Sequence, residues 1–180
     1  MSVTLASGSP QRAELLRKLG VEFEVVVPGV EELSGGDPEL EVLENARMKA
    51  RAVERDWVVI ACDTDVVLDG KALGKPADAE EARSYLNRMS GRAHEVLSGL
   101  VVLVDGEERS GLERTTVVFK GLSDAEKQRY VEFGEWRGRS GGYAIQTLGS
   151  TLVERLEGSV SNVVGLPVSL LFELAPELLR

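Results

Sequence analysis

Trp57-Val58-Val59-Ile60-Ala61-Cys62-Asp63-Thr64-Asp65 is the stretch on which the fold class turns. Its first six residues form a near-continuous apolar run, the pattern of a strand covered on both faces. The run is expected to end at Cys62, where the chain turns to two carboxylates and a hydroxyl. Gly74-Lys75-Pro76 follows a little later. Carboxylates hold a hard divalent cation, and a lysine meets the phosphate charge that the cation leaves uncovered. The segment therefore has the ingredients of a metal–phosphate site. The alternative is a strand-end turn in which Asp63 caps backbone while Asp65 and Lys75 are solvated.

Upstream, residues 2–6 read as a short strand and Ser7-Gly8-Ser9 as a turn. Ser9-Pro10 is a helix start, with serine as N-cap and proline at the first helical position. That helix carries Leu15, Leu16 and Leu19 and stops at Gly20. Phe23 to Val27 read as a second strand and residues 28–36 as a loop. Asp37-Pro38 opens a helix whose apolar stripe is Leu40, Leu43, Ala46, Ala50 and Val53.

Downstream, Asp69-Gly70 is a two-residue hairpin signal between Val66-Val67-Leu68 and Lys71-Ala72-Leu73. Asp78 caps a helix to about Met89, ended by Ser90-Gly91. His94 to Val104 and Glu113 to Lys120 read as a long antiparallel pair. Ser123-Asp124-Ala125-Glu126 is a capping box for a helix through Phe133. Residues 134–142 form a loop rich in glycine and arginine. Ile145 and Leu152 to Leu156 are short strand candidates, and Pro167 starts a last helix through Leu174. Helices alternate with strands but a long hairpin interrupts them, which predicts an α/β domain with a mixed sheet rather than a regular doubly wound one.

The chain has 180 residues, 43% hydrophobic and 28% charged, the size and composition of one soluble domain, or one domain with two lobes, with a sizeable core. No apolar run reaches the roughly 18 residues that span a bilayer. The first residues lack the basic and apolar segments of a signal peptide. The single cysteine, Cys62, excludes an internal disulfide and reads as a small buried apolar residue. A net charge of −9 argues against non-specific binding to nucleic acid or to an anionic membrane.

Several constellations could carry chemistry. Ser7-Gly8-Ser9-Pro10-Gln11-Arg12 is a strand–turn–helix junction, where free N–H groups and the positive helix end suit a phosphate and Arg12 offers a bidentate contact. Its plain alternative is a capped helix with Arg12 exposed. Arg47, Lys49, Arg51 and Arg55 read as a solvated basic face, and nothing in the spacing selects Lys49. Glu31-Glu32 lie in a loop, where solvated charge is the default. In Gly141-Gly142-Tyr143-Ala144-Ile145-Gln146-Thr147-Leu148-Gly149, glycines bracket a glutamine whose amide can read a base edge. Tyr143, beside Ile145, reads as core. His94 is the only histidine, so no histidine zinc cluster exists, and its place on an alternating strand gives it a structural role.

Taken together these segments resemble the Maf family, septum-formation-inhibitor-like nucleoside triphosphate pyrophosphatases. The resemblance rests on Leu5 to Arg12, on Glu44-Asn45-Ala46-Arg47-Met48-Lys49-Ala50, on Cys62-Asp63-Thr64 with Leu68-Asp69-Gly70, and on Gly74-Lys75-Pro76. It continues in Leu86 to Val96, in Gly142 to Gln146 and in Glu157 to Pro167, and so covers nearly the whole chain as a single domain, 1–180. It implies a mixed, twisted β-sheet flanked by helices, with two lobes around a cleft, like the inosine triphosphatases. It also implies a cytoplasmic hydrolase that cuts between the α and β phosphates with a divalent metal, Mg or Mn. A homodimer is suggested by the resemblance alone.

By the same resemblance the active-site aspartate, the proton acceptor, falls on Asp63. The phosphate-loop residues fall on Ser7, Gln11 and Arg12, the acidic loop glutamate on Glu32 and the lysines on Lys49 and Lys75. Asp63 and Glu32 are the candidate metal ligands. Thr64 and Gln146 match the branch acting on dTTP and UTP. Two departures stand out. The usual Ser-Pro-Arg-Arg is Ser-Pro-Gln-Arg here, so Gln11 replaces a phosphate-facing arginine. Asp65 stands where an apolar residue normally follows Asp-Thr; facing the site, it would raise metal demand. Both departures motivate an alternative function, a nucleotide-binding regulator of cell division with little turnover. A third reading is cleavage of modified nucleotides.

Overall fold

The structure is a computed structural model that describes residues 2–53 and 57–179; Arg55, read above as part of a basic face, lies outside the described residues. In chain order the elements are β1 (Val3–Ala6), α1 (Pro10–Lys18), β2 (Glu24–Val26), α2 (Pro38–Arg51), β3 (Val58–Leu68), β4 (Lys71–Ala72) and α3 (Ala79–Met89). There follow β5 (Ala93–Val104), β6 (Glu107–Phe119), α4 (Asp124–Phe133), β7 (Val153–Glu157), α5 (Val160–Val164) and α6 (Val168–Leu174). The strands make one seven-stranded sheet in the order β2-β1-β3-β5-β6-β7, with β4 beside β3. Pairing is parallel for β1 with β2 and β3, and antiparallel for β3 with β4 and β6 with β7. The sheet is mixed, as the order of elements predicted.

Local signals placed most of the ends. Ser9 caps α1 by accepting the Arg12 N–H, Asp37 caps α2, and Ser123 with Glu126 closes a reciprocal capping box on α4. Each such cap is worth about 1 kcal/mol. Asp69 and Gly70 both take positive φ in the predicted two-residue turn.

Three expectations are corrected, and one element was unannounced. Asp63-Thr64-Asp65 is not a strand end: β3 runs unbroken for 11 residues through it. Aspartate is disfavoured in strands, but each of these three side chains finds a hydrogen-bonding partner, described below. Of the predicted α2 stripe, Leu43, Ala46, Ala50 and Val53 pack inward and Val42 joins them, whereas Leu40 is 68% exposed. Ile145 lies in a bend rather than a strand, and residues 160–164 form a helix that no local signal announced.

The chain divides into two compact units. The first comprises residues 1–64, 98–113 and 165–180, the second 65–97 and 114–164. In the first unit, alternation along β3 sends Val58, Ile60 and Cys62 to one face, against Ala13 and Leu16 of α1 and Leu166 and Leu171. Val59 and Ala61 go to the other face, against Ala46 and Ala50 of α2. Both faces are covered, as the apolar run required. Helix α2 lies unusually close to β5: a Cβ at Gly99 would sit 2.3 Å from the Val42 carbonyl oxygen. Only glycine admits that approach, so Gly99 fixes how deep the helix rides. The second unit has its own core, in which Leu68, Leu86, Met89, Phe119, Tyr130 and Tyr143 pack together.

Candidate functional site

In the first unit β1 ends at Ala6, and its register pairs Leu5 with Ile60. Asp63 and Thr64 therefore lie just past the carboxyl end of β1, the place where open α/β sheets bind ligands. Strand alternation points them to opposite faces, and each meets a different helix.

On the α2 face, Lys49 donates to Asp63 Oδ1 at 2.7 Å and to Glu32 Oε1 at 2.6 Å. Asn45, one turn back on the same helix, donates from Nδ2 to Asp63 Oδ2 at 2.9 Å. Its Nδ2 also donates to the Leu33 carbonyl at 3.1 Å, and its Oδ1 accepts the Leu33 N–H at 2.7 Å. Another turn back, Glu41 Oε1 accepts the Gly36 N–H. Glu41, Asn45 and Lys49 thus form a buried polar file at i, i+4 and i+8. The file ties down the loop after Glu31 and brings Glu32 to the lysine. Lys49 is 7% exposed, which corrects the solvated basic face. Sequence reasoning gave Asn45 and Glu41 no role; their four-residue spacing beside the Val42-Ala46-Ala50 stripe was the available signal.

On the α1 face, the Arg12 guanidinium is buried and makes three hydrogen bonds, all to neutral acceptors. Nε donates to the Gly165 carbonyl at 2.7 Å, Nη1 to Ser7 Oγ at 3.0 Å and Nη2 to Thr64 Oγ1 at 3.1 Å. Thr64 Oγ1 is also 2.8 Å from Ser98 Oγ. No carboxylate pairs with Arg12 among the described residues. A buried cation without a counter-ion is costly, so this pocket is stabilised by an incoming anion. Ser7 Oγ accepts from both Arg12 and the Ser9 N–H, which leaves its own proton as the group to offer. Gln11, half-buried, accepts from Ser9 Oγ at 3.1 Å.

The structure thus brings Ser7, Arg12 and Thr64 into one group and Glu32, Lys49 and Asp63 into another, with Gln11 beside the first. Lys75 and Gln146 belong to the second unit, both exposed and without a hydrogen-bond partner among the described residues. Thr147, directly after Gln146, holds a positive φ of 46°, a strained state for a β-branched residue. Asp65, also in this unit, accepts from Ser140 Oγ at 2.7 Å. His94 is buried, with Nε2 2.8 Å from the Tyr143 hydroxyl and edge-on contacts to Phe119 and Tyr143. Burial lowers its pKa to about 4. It is a core residue, as its strand position indicated.

No group of three or more histidine, cysteine, aspartate or glutamate side chains converges among the described residues. Asp63 and Glu32 nonetheless suit a divalent cation of the magnesium type. Both are oxygen donors, one of them open to solvent, and two carboxylates share a single ammonium. Such ions bind through one or two carboxylates and complete their shell with phosphate oxygens and water.

The Maf-like protein family matches residues 2–178. The chain belongs to the Maf family. A Deinococcus radiodurans relative of this Maf chain is 48% identical over 176 residues, covering 96% of this chain and 90% of that protein. Another, from Thermus thermophilus, is 46% identical over 171 residues, covering 94% and 91%. A third, from Thermosipho africanus, is 40% identical over 175 residues, covering 97% and 92%. All three are named dTTP/UTP pyrophosphatase. The solved structure of the Staphylococcus aureus Ham1 protein superposes with a TM-score of 0.48 at 16% identity, covering 66% of this chain and 72% of that one. That likeness is too loose to carry an argument. No helix among the described residues is long and apolar enough to cross a membrane.

Proposed function

We propose that this Maf chain, acting as one domain over residues 1–180 in the cytoplasm, hydrolyses nucleoside triphosphates, dTTP and UTP foremost. The products are the monophosphate and pyrophosphate. The observation that carries the reading is Lys49, a buried ammonium shared by Asp63 and Glu32 beside the carboxyl end of β1. The names of the three relatives support the substrate class.

The reaction joins a water oxygen to the α-phosphorus and breaks its bond to the bridging oxygen of the β-phosphate. Asp63 orients that water and takes its proton. Oδ2 is the favoured acceptor, because its partner is the neutral Asn45 amide whereas Oδ1 faces the Lys49 ammonium. Arg12, the Ser7 hydroxyl and the first N–H groups of α1 receive phosphate oxygens, and the buried guanidinium gains the anion it lacks. Lys49 and Lys75 offset charge on the triphosphate and the leaving pyrophosphate. Gln146 reads the base edge through its amide, and Gln11 and Thr64 complete the substrate contacts. A divalent cation held by Asp63 and Glu32 would neutralise phosphate charge and polarise the reacting phosphorus.

The test is Asp63→Asn, assayed for pyrophosphate release from a panel of triphosphates with Mg²⁺ or Mn²⁺. Release should fall by about three orders of magnitude or more, while circular dichroism and the melting profile stay near the parent's. Near-normal turnover in the variant would sink the assignment. Tight nucleotide binding by the parent with no monophosphate formed would instead favour the regulator reading.

A further inference from the structure

The Asp65 carboxylate is not left to the solvent. Oδ1 accepts the Ser140 hydroxyl at 2.7 Å, and the same Ser140 oxygen accepts the Val66 N–H at 3.1 Å. The chain Val66 N–H to Ser140 to Asp65 therefore pins the glycine–arginine loop, residues 134–142, onto β3 from within the second unit. A hydrogen bond to an ionised acceptor is roughly twice as strong as a neutral one. The carboxylate thus adds strength that an apolar residue at this position could not.

The pinned segment is tightly built. Gly141 has a φ of 69°, and a Cβ there would lie 2.6 Å from Val66. Its N–H donates to the Gly74 carbonyl at 2.7 Å, one residue before Lys75. A Cβ at Gly142 would come within 3.2 Å of Pro76, one residue after Lys75. Beyond the glycines, Tyr143 is anchored on His94 and the Ala144 N–H on the Tyr130 hydroxyl. Gln146 follows as the exposed tip. Neither Lys75 nor Gln146 has a hydrogen-bond partner of its own among the described residues, so the backbone that carries them is what fixes their place.

We propose that Asp65 is a positioning residue: through Ser140 it latches the glycine–arginine loop to β3 and so holds the Lys75 turn and the Gln146 segment in place for substrate. The inference rests on the nucleotide-hydrolysis reading for its substrate. It assigns to Asp65 neither metal binding nor proton transfer.

The test compares the parent with Asp65→Val, Asp65→Asn and Ser140→Ala. Limited trypsin digestion, read by mass spectrometry after Arg137 and Arg139, reports on the loop without any activity. Cleavage there should quicken about tenfold or more in Asp65→Val and in Ser140→Ala. Asp65→Asn keeps an acceptor for Ser140 and should recover most of the difference. In kinetics, Asp65→Val should raise KM for dTTP and UTP about tenfold with a smaller change in kcat, the mark of lost positioning. The Mg²⁺ concentration for half-maximal rate should not move. The double variant Asp65→Val/Ser140→Ala should be no worse than the poorer single one. If Asp65→Val does not fold, Ser140→Ala carries the same comparison from the other side of the bond.

Parent-like proteolysis and KM in Asp65→Val and Ser140→Ala would overturn the latch. A shifted Mg²⁺ requirement with an unchanged loop would overturn it too, by placing the carboxylate at the metal. A parent that cleaves no triphosphate would overturn the hydrolysis reading and the substrate role drawn here, while the trypsin comparison still decides whether the latch exists.

Discussion

Among the candidate site residues, Arg12, Lys49 and Asp63 of the first unit are held by hydrogen bonds before any ligand arrives, whereas Lys75 and Gln146 of the second are not. Lys49 is wedged between two carboxylates, Asn45 uses both its N–H donors and its oxygen, and Arg12 has three acceptors. Lys75 and Gln146 stand exposed on backbone that is itself firmly tied. On the proposed function, the difference separates two tasks. Stabilising charge on a reacting phosphate needs dipoles and charges fixed in advance, in a water-poor setting. Reading a base edge needs an amide free to pair with the base. Rigidity is placed in the side chains in one unit and in the main chain in the other.

That contrast can be broken most severely at Lys49. In Lys49→Met the buried Asp63 carboxylate loses its cation. Breaking a buried ion pair from one side costs about 3–5 kcal/mol, toward the lower end here because Glu32 can turn to water. We expect the melting temperature to fall by about 6–12 °C and turnover to drop at least about 100-fold. Calorimetry with a pyrophosphate assay measures both, and a stable, active variant would show that the lysine is not the keystone of its group.

Next in size is a pH effect confined to the second unit. Burial lowers the pKa of His94 from 6.5 to about 4, and its Nδ1 has no partner to favour the imidazolium. The unfolded chain therefore binds a proton at a pH where the folded chain does not. Stability is complete above about pH 6.5 and declines as the pH falls toward 4, by about 3 kcal/mol. Urea unfolding at pH 7.5 and pH 4.5 should show this loss in the parent. It should be much smaller in His94→Gln, which keeps a hydrogen-bonding group near Tyr143. Equal pH slopes in the two proteins would remove His94 as the cause.

The smallest effect sharpens the comparison from the other side. Gln146→Ala removes an exposed side chain without a partner, so melting should stay within about 0.5 kcal/mol of the parent. Discrimination between dTTP and a purine triphosphate should weaken by about tenfold, mostly through KM. A large drop in stability would mean that Gln146 belongs to the scaffold.

Local chemistry in the sequence foretold what local chemistry controls. The Trp57–Cys62 run, whose strand begins at Val58, the Ser9-Pro10 start, the Asp69-Gly70 turn and the Ser123–Glu126 box all appear in the structure. The unread part depends on partners remote along the chain. Arg12 is anchored by a carbonyl 153 residues away and Asp65 by a serine 75 residues away. Lys49 looked solvated because its neighbours Arg47 and Arg51 are basic too. Those two pair with Glu108 at the surface, and Lys49 alone turns inward. The continuation of β3 through Asp63-Thr64-Asp65 was hidden for the same reason: its polar side chains are satisfied by α2, by α1 and by residue 140. The family resemblance supplied positions that the spacing did not.

Cys62, fully buried and the only cysteine in the chain, shares the Gly165 carbonyl with Arg12, its Sγ 3.4 Å from that oxygen. With no surface exposed, the sulfur meets an alkylating reagent only when the packing around it opens. The speed at which a thiol dye labels the protein is therefore a stopwatch on the opening of the core beside Arg12. It needs no added tag, and an anion that seats on the arginine should slow it.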